Sequence, residues 1–298
     1  MREIFPLNIR FLFIFYFSGF FPLVGFCLTG NLVSSGPVSM RFVVEENILP
    51  TAKTIEIGWW IKRKKGWHTY WESPGDVGVP PSLNWNLPEG IKSTGLLFSP
   101  PQLVKMFQVF AHGHRDETLF ICTFKVNRSL KAGEVLTFAA KSSWLACYKT
   151  CLPSFLDLEI SIPVQTKTGT DPKWKPWFEE FRKSQPIDPP REWVSNAKAI
   201  VSKSSEDDKE FVTLQIPYSD TGKLPAFRFF THGRFVLSNI FQIPQRVQVT
   251  GGEDSLSIPM ELSYWRDPKQ KNLHGLLYRS DGWPGTTSKF YKVSLPIE

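Results

Sequence analysis

The stretch WLACYKTCLPSFLDLEISIP, residues 144–163, holds both the clearest strand and the densest chemistry in the chain. From Phe155 to Pro163, Leu156, Leu158, Ile160 and Ile162 alternate with Asp157, Glu159 and Ser161. That two-residue period belongs to a strand with one buried and one solvated face. Another strand is read over Val135–Ala140, so Cys147 and Cys151 fall at the corner between two strands. Four extended residues would hold their Cα atoms roughly 13 Å apart, whereas a disulfide needs about 4.4 to 6.8 Å. To bond, the chain must fold back between them, as a tight turn over Tyr148, Lys149 and Thr150 or as a single helical turn.

The same period recurs on both sides of this corner. Upstream it runs through Val38, Met40, Phe42 and Val44, then Ile55, Ile57, Trp59 and Ile61, with an apolar strand over Thr118–Val126. Downstream it runs through Val212, Leu214 and Ile216, then Leu256, Ile258, Met260 and Leu262, and last Val293, Leu295 and Ile297. The 24 prolines oppose long helices. One helix is expected after Asp171 and Pro172, where Trp174, Trp177, Phe178 and Phe181 recur at i, i+3, i+4 and i+7 before Pro186. A chain of 298 residues has room for about two cores. The expected fold class is all-β, two sandwich domains at 36–165 and 191–298, joined by a linker at 166–190 that carries the amphipathic helix.

Residues 1–30 read as a signal peptide or an N-terminal anchor. Arg2 and Arg10 precede an apolar run from Phe11 to Phe26, and Gly25 and Cys27 stand at −3 and −1 of a possible cleavage site. Phe26 stands where a lipoprotein signal would have a small residue. No later stretch approaches 18 apolar residues. The net charge of +7 does not read as nucleic-acid binding, because the basic residues are scattered apart from Lys62, Arg63, Lys64 and Lys65. That run precedes Gly66 and is expected to be a solvated hairpin tip.

Export makes the cysteines informative, since disulfides persist in oxidising compartments. A bridge closing so short a loop contributes only about 2 kcal/mol of stabilisation, and small strained loops suit exchange better than stapling. Lys149 would favour a thiolate if its ammonium group lies near one sulfur. Three other readings stand beside exchange: a structural bridge pinning a corner of a non-catalytic binding or chaperone-like module, two unpaired thiols, or copper or zinc handling with nearby histidines. Cys122 shares a strand face with Phe120, Phe124 and Val126 and reads as a buried, inert thiol. His68, alone among Trp67, Tyr70 and Trp71, reads as a structural group.

His112 and His114 form an H-x-H pair, but no spaced cysteine or carboxylate set completes a site. No metal and no cofactor is therefore expected. Glu72 and Asp76 have no evident partner and read as turn residues. Residues 99–117, SPPQLVKMFQVFAHGHRDE, read as a long connection, a length that is often functional. No catalytic triad, Walker loop or dinucleotide fingerprint is present.

Taken together, GWHTYWESPGDVGVPP at 66–81, SPPQL at 99–103, and WLACYKTCLP at 144–153 with its following strand resemble the N-terminal periplasmic region of the DsbD and ScsB family of thiol:disulfide interchange proteins. The resemblance is strongest over residues 40–165 and continues weakly through LHGLLY at 273–278 and the final strand. It implies immunoglobulin-like β-sandwiches and a protein-disulfide reductase type of oxidoreductase. It also implies a periplasmic location, with electrons passing between a membrane-embedded thiol reductase and periplasmic thioredoxin-like clients. In such a domain Cys151 forms the mixed disulfide, Cys147 resolves it, and a cap loop around Met106–Gly113 shields the pair through Phe107 or Phe110. Family members continue into a multi-helix membrane domain, whereas this sequence ends at Glu298. A separate membrane partner is therefore expected.

Overall fold

The computed structural model describes residues 29–298 apart from 107, 206, 220–221, 239–241, 243 and 248–254. Most of the targeting segment read at 1–30 therefore lies outside the described residues. In chain order the first half comprises β1 (Val33–Ser35), β2 (Val38–Val43), β3 (Thr54–Arg63), β4 (His68–Tyr70), β5 (Ser82–Asn86), β6 (Ile91–Leu97), β7 (Gln102–Met106), β8 (Val109–Arg115), β9 (Glu117–Val126), β10 (Val135–Cys147) and β11 (Cys151–Pro163). Two helices follow, α1 (Lys175–Ser184) and α2 (Arg191–Asn196). The second half comprises β12 (Lys198–Lys203), β13 (Glu210–Pro217), β14 (Phe227–Thr231), β15 (Gln245–Val247), β16 (Ser255–Glu261), β17 (Asn272–Arg279) and β18 (Phe290–Pro296).

The first half is a sandwich. One sheet has the order β1-β2-β3-β9-β6 and the other β11-β10-β4-β8-β7, with β5 also paired to β10. The apolar positions read from the sequence fill the space between them: Met40, Phe42, Ile57, Trp59, Phe120, Phe124, Phe138 and Ile160 are among its buried residues. The second half has its own sheets, β12-β13-β16-β15 and β14-β17-β18. Its core includes Val212, Leu214, Ile216, Ile258 and Leu277. The all-β class and paired sheets agree with the sequence expectation.

Four expectations need correction. The segment 99–117 is not a loop: β7 and β8 pair directly as a hairpin, with Val104 opposite Ala111 and Lys105 opposite Phe110. Its alternation is masked because the buried positions include His112 and His114 rather than aliphatic residues. Arg63 is not at a solvated tip. It continues the inward set of β3, is 3% exposed, and donates through Nε to Thr69 Oγ1 at 2.9 Å and through Nη1 to Thr118 Oγ1 at 3.0 Å. Burial lowers its pKa to about 9, against the opposing pull of Asp116.

The third correction is a second helix, α2. Six residues are too few to write a clear apolar period, although Trp193 is buried. The fourth concerns Asp76, which has a partner: its backbone N–H donates to Ser238 Oγ at 2.9 Å, in the second half of the chain.

The helix α1 packs on the outer face of the first sheet, where Trp174, Phe178 and Phe181 meet Val43, Leu119 and Ile121. Gly58 allows this, since a Cβ there would stand 2.7 Å from Leu119, 2.8 Å from Val43 and 2.9 Å from Phe178. A smaller apolar cluster joins the two halves, with Trp71 and Phe98 from the first meeting Phe230, Leu276 and Phe290 from the second.

Candidate redox site

The strands β10 and β11 form one long antiparallel hairpin whose last register pair is Cys147 opposite Cys151. The tip is Tyr148–Thr150, closed by the Tyr148 N–H donating to the Thr150 carbonyl at 3.0 Å. Of the two ways to fold back, the tight turn is the one adopted. The cysteine Cα atoms lie 4.2 Å apart and the sulfurs are bonded. Trp67 and Gly66 brace the tip through the Tyr148 ring. Lys149 Nζ sits 5.9 Å from the centre of that ring.

Even-numbered residues of β10, including Phe138, Trp144 and Ala146, face the sandwich core. The cysteine pair consequently faces the opposite side of its sheet. There the two sulfurs are treated differently. Cys147 has no exposed surface, while Cys151 is partly exposed. Around Cys147 pack Tyr70, Val104 and Ala111, with Val77 and Leu145 at the margin.

The Tyr70 hydroxyl donates to Cys147 Sγ at 3.2 Å. Burial raises the phenol's pKa, which keeps it protonated and a donor. Gly78, at φ +109°, lies so close to the Tyr70 ring that any side chain there would collide with it. His68 is directly opposite Cys147 in the β4–β10 pairing, and its ring lies edge-on to Tyr70 at 5.3 Å. Burial, reinforced by Arg115 and Arg63, lowers its pKa to about 4, so it is neutral at neutral pH.

Cys151, Pro153 and Phe155 project from one face of β11, and Phe155 is 75% exposed. With Tyr148 at the hairpin tip, also exposed, it adds apolar surface on the side of the accessible sulfur, a feature that marks protein contact sites. Chemically, a thiolate can approach Cys151 Sγ, and the sulfur then released is Cys147, already met by a hydrogen-bond donor.

The other residues singled out in the sequence lie elsewhere. Phe107 is outside the described residues. Phe110 is opposite Lys105, whose Nζ lies 5.1 Å from its ring, and faces away from the Val104–Ala111 pair that packs on Cys147. His112 and His114 face that same other side and meet separate carbonyls, Nδ1 of His112 with Ser73 at 3.0 Å and Nε2 of His114 with Ser99 at 3.0 Å. Burial lowers both to about 3, so both are neutral. Among the described residues no group of three or more His, Cys, Asp and Glu could hold a metal. Cys122 is fully buried and its pKa is pushed well up by burial, as expected of an inert thiol.

Sequence reading missed Tyr70 and Val77 as parts of the site. The only available signal was their place within the aromatic and turn-rich stretch 66–81.

No protein-family profile matches the sequence, and no curated protein matches it. In three dimensions the chain superposes on the N-terminal periplasmic domain of ScsB from Proteus mirabilis with a TM-score of 0.60, covering 90% of this chain and 98% of that one at 16% identity. The fold is that of the ScsB periplasmic domain. Because the overlap extends across nearly all of both chains, the ScsB-like architecture includes the second half as well as the dithiol sandwich. Among the described residues no helix is long and apolar enough to cross a membrane.

Proposed function

We propose that this chain is an exported, periplasmic thiol:disulfide interchange protein. It passes electrons through Cys147 and Cys151 from a membrane-embedded thiol reductase to thioredoxin-like clients. The observation that carries the reading is the asymmetry of the pair: Cys151 partly exposed amid apolar surface, Cys147 buried beneath the Tyr70 hydroxyl. A merely structural bridge has no need of an accessible sulfur beside a donor-stabilised one.

In the reduced protein the Cys151 thiolate attacks a client disulfide, forming a Cys151–client bond and releasing one client thiolate, which takes up a proton. The Cys147 thiolate then attacks Cys151 Sγ and expels the second client thiolate, so two electrons have moved to the client and Cys147–Cys151 is closed. The membrane partner's dithiol reopens it by the reverse chemistry. Val104 and Ala111 of the β7–β8 hairpin pack on Cys147, and we assign that hairpin the shielding role.

The test is trapping. Cys147→Ser should accumulate a mixed disulfide with a thioredoxin-like client, and Cys151→Ser should abolish exchange. A Cys151→Ser variant that exchanges as fast as the parent, or a parent potential below about −300 mV, would instead mark a structural bond.

A further inference from the structure

Among the described residues the second half of the chain places none in the dithiol cluster, yet it grips the segment that covers it. Residues 71–78 run between the two. On one side, Val77 packs with Tyr70, Val104, Ala111 and Cys147, and Gly78 presses on the Tyr70 ring. On the other, Ser238 of the second half is 1% exposed and its Oγ accepts the Asp76 N–H at 2.9 Å. The same oxygen lies 3.2 Å from Asp76 Oδ2 and 3.2 Å from the Phe110 carbonyl, so its single proton serves one of these two acceptors.

Gly75, at φ +90°, leaves room for this approach, since a Cβ there would collide with Ser238. The Gly233 N–H donates to Ser73 Oγ at 3.2 Å, Arg228 Nη2 donates to the Ser238 carbonyl, and the Trp71 ring lies 5.0 Å from His232. One buried hydroxyl thus ties together the covering segment, through Asp76, and the β7–β8 hairpin, through Phe110.

We infer that Ser238 is a positioning residue, through which the second domain holds residues 71–78 as a strap over the dithiol, keeping Cys147 covered and Tyr70 bonded to it. The inference rests on the proposed exchange function. Releasing the strap has two effects of different kind. Access to the disulfide rises, because Val77 and Gly78 no longer sit on the cluster. The donor to Cys147 is lost, because Tyr70 is no longer pressed against it, so the thiolate is less stabilised and the disulfide becomes the more favoured state.

The test compares the full-length parent with Ser238→Ala, and with Ser255→Ala as a matched loss of a buried serine that accepts from Gln215 inside the second domain. Reduction of the disulfide by glutathione is expected to quicken roughly fivefold or more in Ser238→Ala, as one or two buried hydrogen bonds are lost. Its reduction potential should move to a more negative value. Ser255→Ala should leave both at parent values, even where its thermal midpoint falls by the same amount. Equal rates and potentials in Ser238→Ala and parent, or equal acceleration in both variants, would overturn the strap while leaving the exchange function standing. A disulfide that glutathione opens in none of the three would overturn both.

Discussion

The Tyr70 hydroxyl meets Cys147 Sγ at 3.2 Å, on the sulfur that has no exposed surface, while the neighbouring Cys151 remains partly open. In a buried, apolar setting a thiolate is costly, and a fixed donor offsets part of that cost. Under the proposed function, the sulfur hidden from solvent is the one that the Tyr70 hydroxyl prepares to carry charge.

Removing only the donor tests this directly. Tyr70→Phe keeps the ring that packs against Gly78 and deletes the hydroxyl. A hydrogen bond to a charged group is worth about 1.5 to 3 kcal/mol, and for this two-electron couple 1.4 kcal/mol corresponds to about 30 mV. The reduction potential, measured in glutathione buffers, should fall by about 30 mV or more. An unchanged potential would mean that the hydroxyl does not act on Cys147.

Acid should weaken the fold through its buried histidines. The folded-state pKa values of His68, His112 and His114 are lowered, to about 4, about 3 and about 3, chiefly by burial. The unfolded chain therefore binds protons that the folded one refuses. Their contribution is complete above an unfolded pKa of about 6.5 and is lost as pH falls toward the folded values, at up to about 1.4 kcal/mol per pH unit for each group. The urea midpoint should drop between pH 7 and pH 5, and the drop should shrink in His114→Asn. A flat midpoint over that interval would contradict the burial of these rings.

The docking of α1 depends on a missing side chain. Gly58→Ala would bring a Cβ within 2.7 to 2.9 Å of Leu119, Val43 and Phe178. Overpacking of this kind costs about 1 to 3 kcal/mol. Urea unfolding should show that loss, and disulfide exchange should be unaffected because α1 lies on the other sheet from Cys147. A neutral effect on stability would show that α1 rests more loosely on the sheet.

Strands buried on one face were legible in the sequence, because burial on one side imposes the two-residue period. Ile55 to Ile61 and Leu156 to Ile162 are examples, and the corner carrying Cys147 and Cys151 followed from them. The β7–β8 hairpin was not legible. Its buried positions include His112 and His114, each satisfied by a distant carbonyl, so no apolar alternation is written there. Arg63 misled for a related reason, because its charge suggested solvent while Thr69 and Thr118 met its guanidinium inside.

The sequence alone determined the all-β class and the place of Cys147 and Cys151 at a corner between two strands, since both follow from local periodicity. Only the tertiary structure decided which sulfur is covered and what holds the cover down. Tyr70 reaches Cys147 across 77 residues, and Ser238 reaches Asp76 across 162. Contacts over such separations leave no local trace, because they form only when separately written strands pack together.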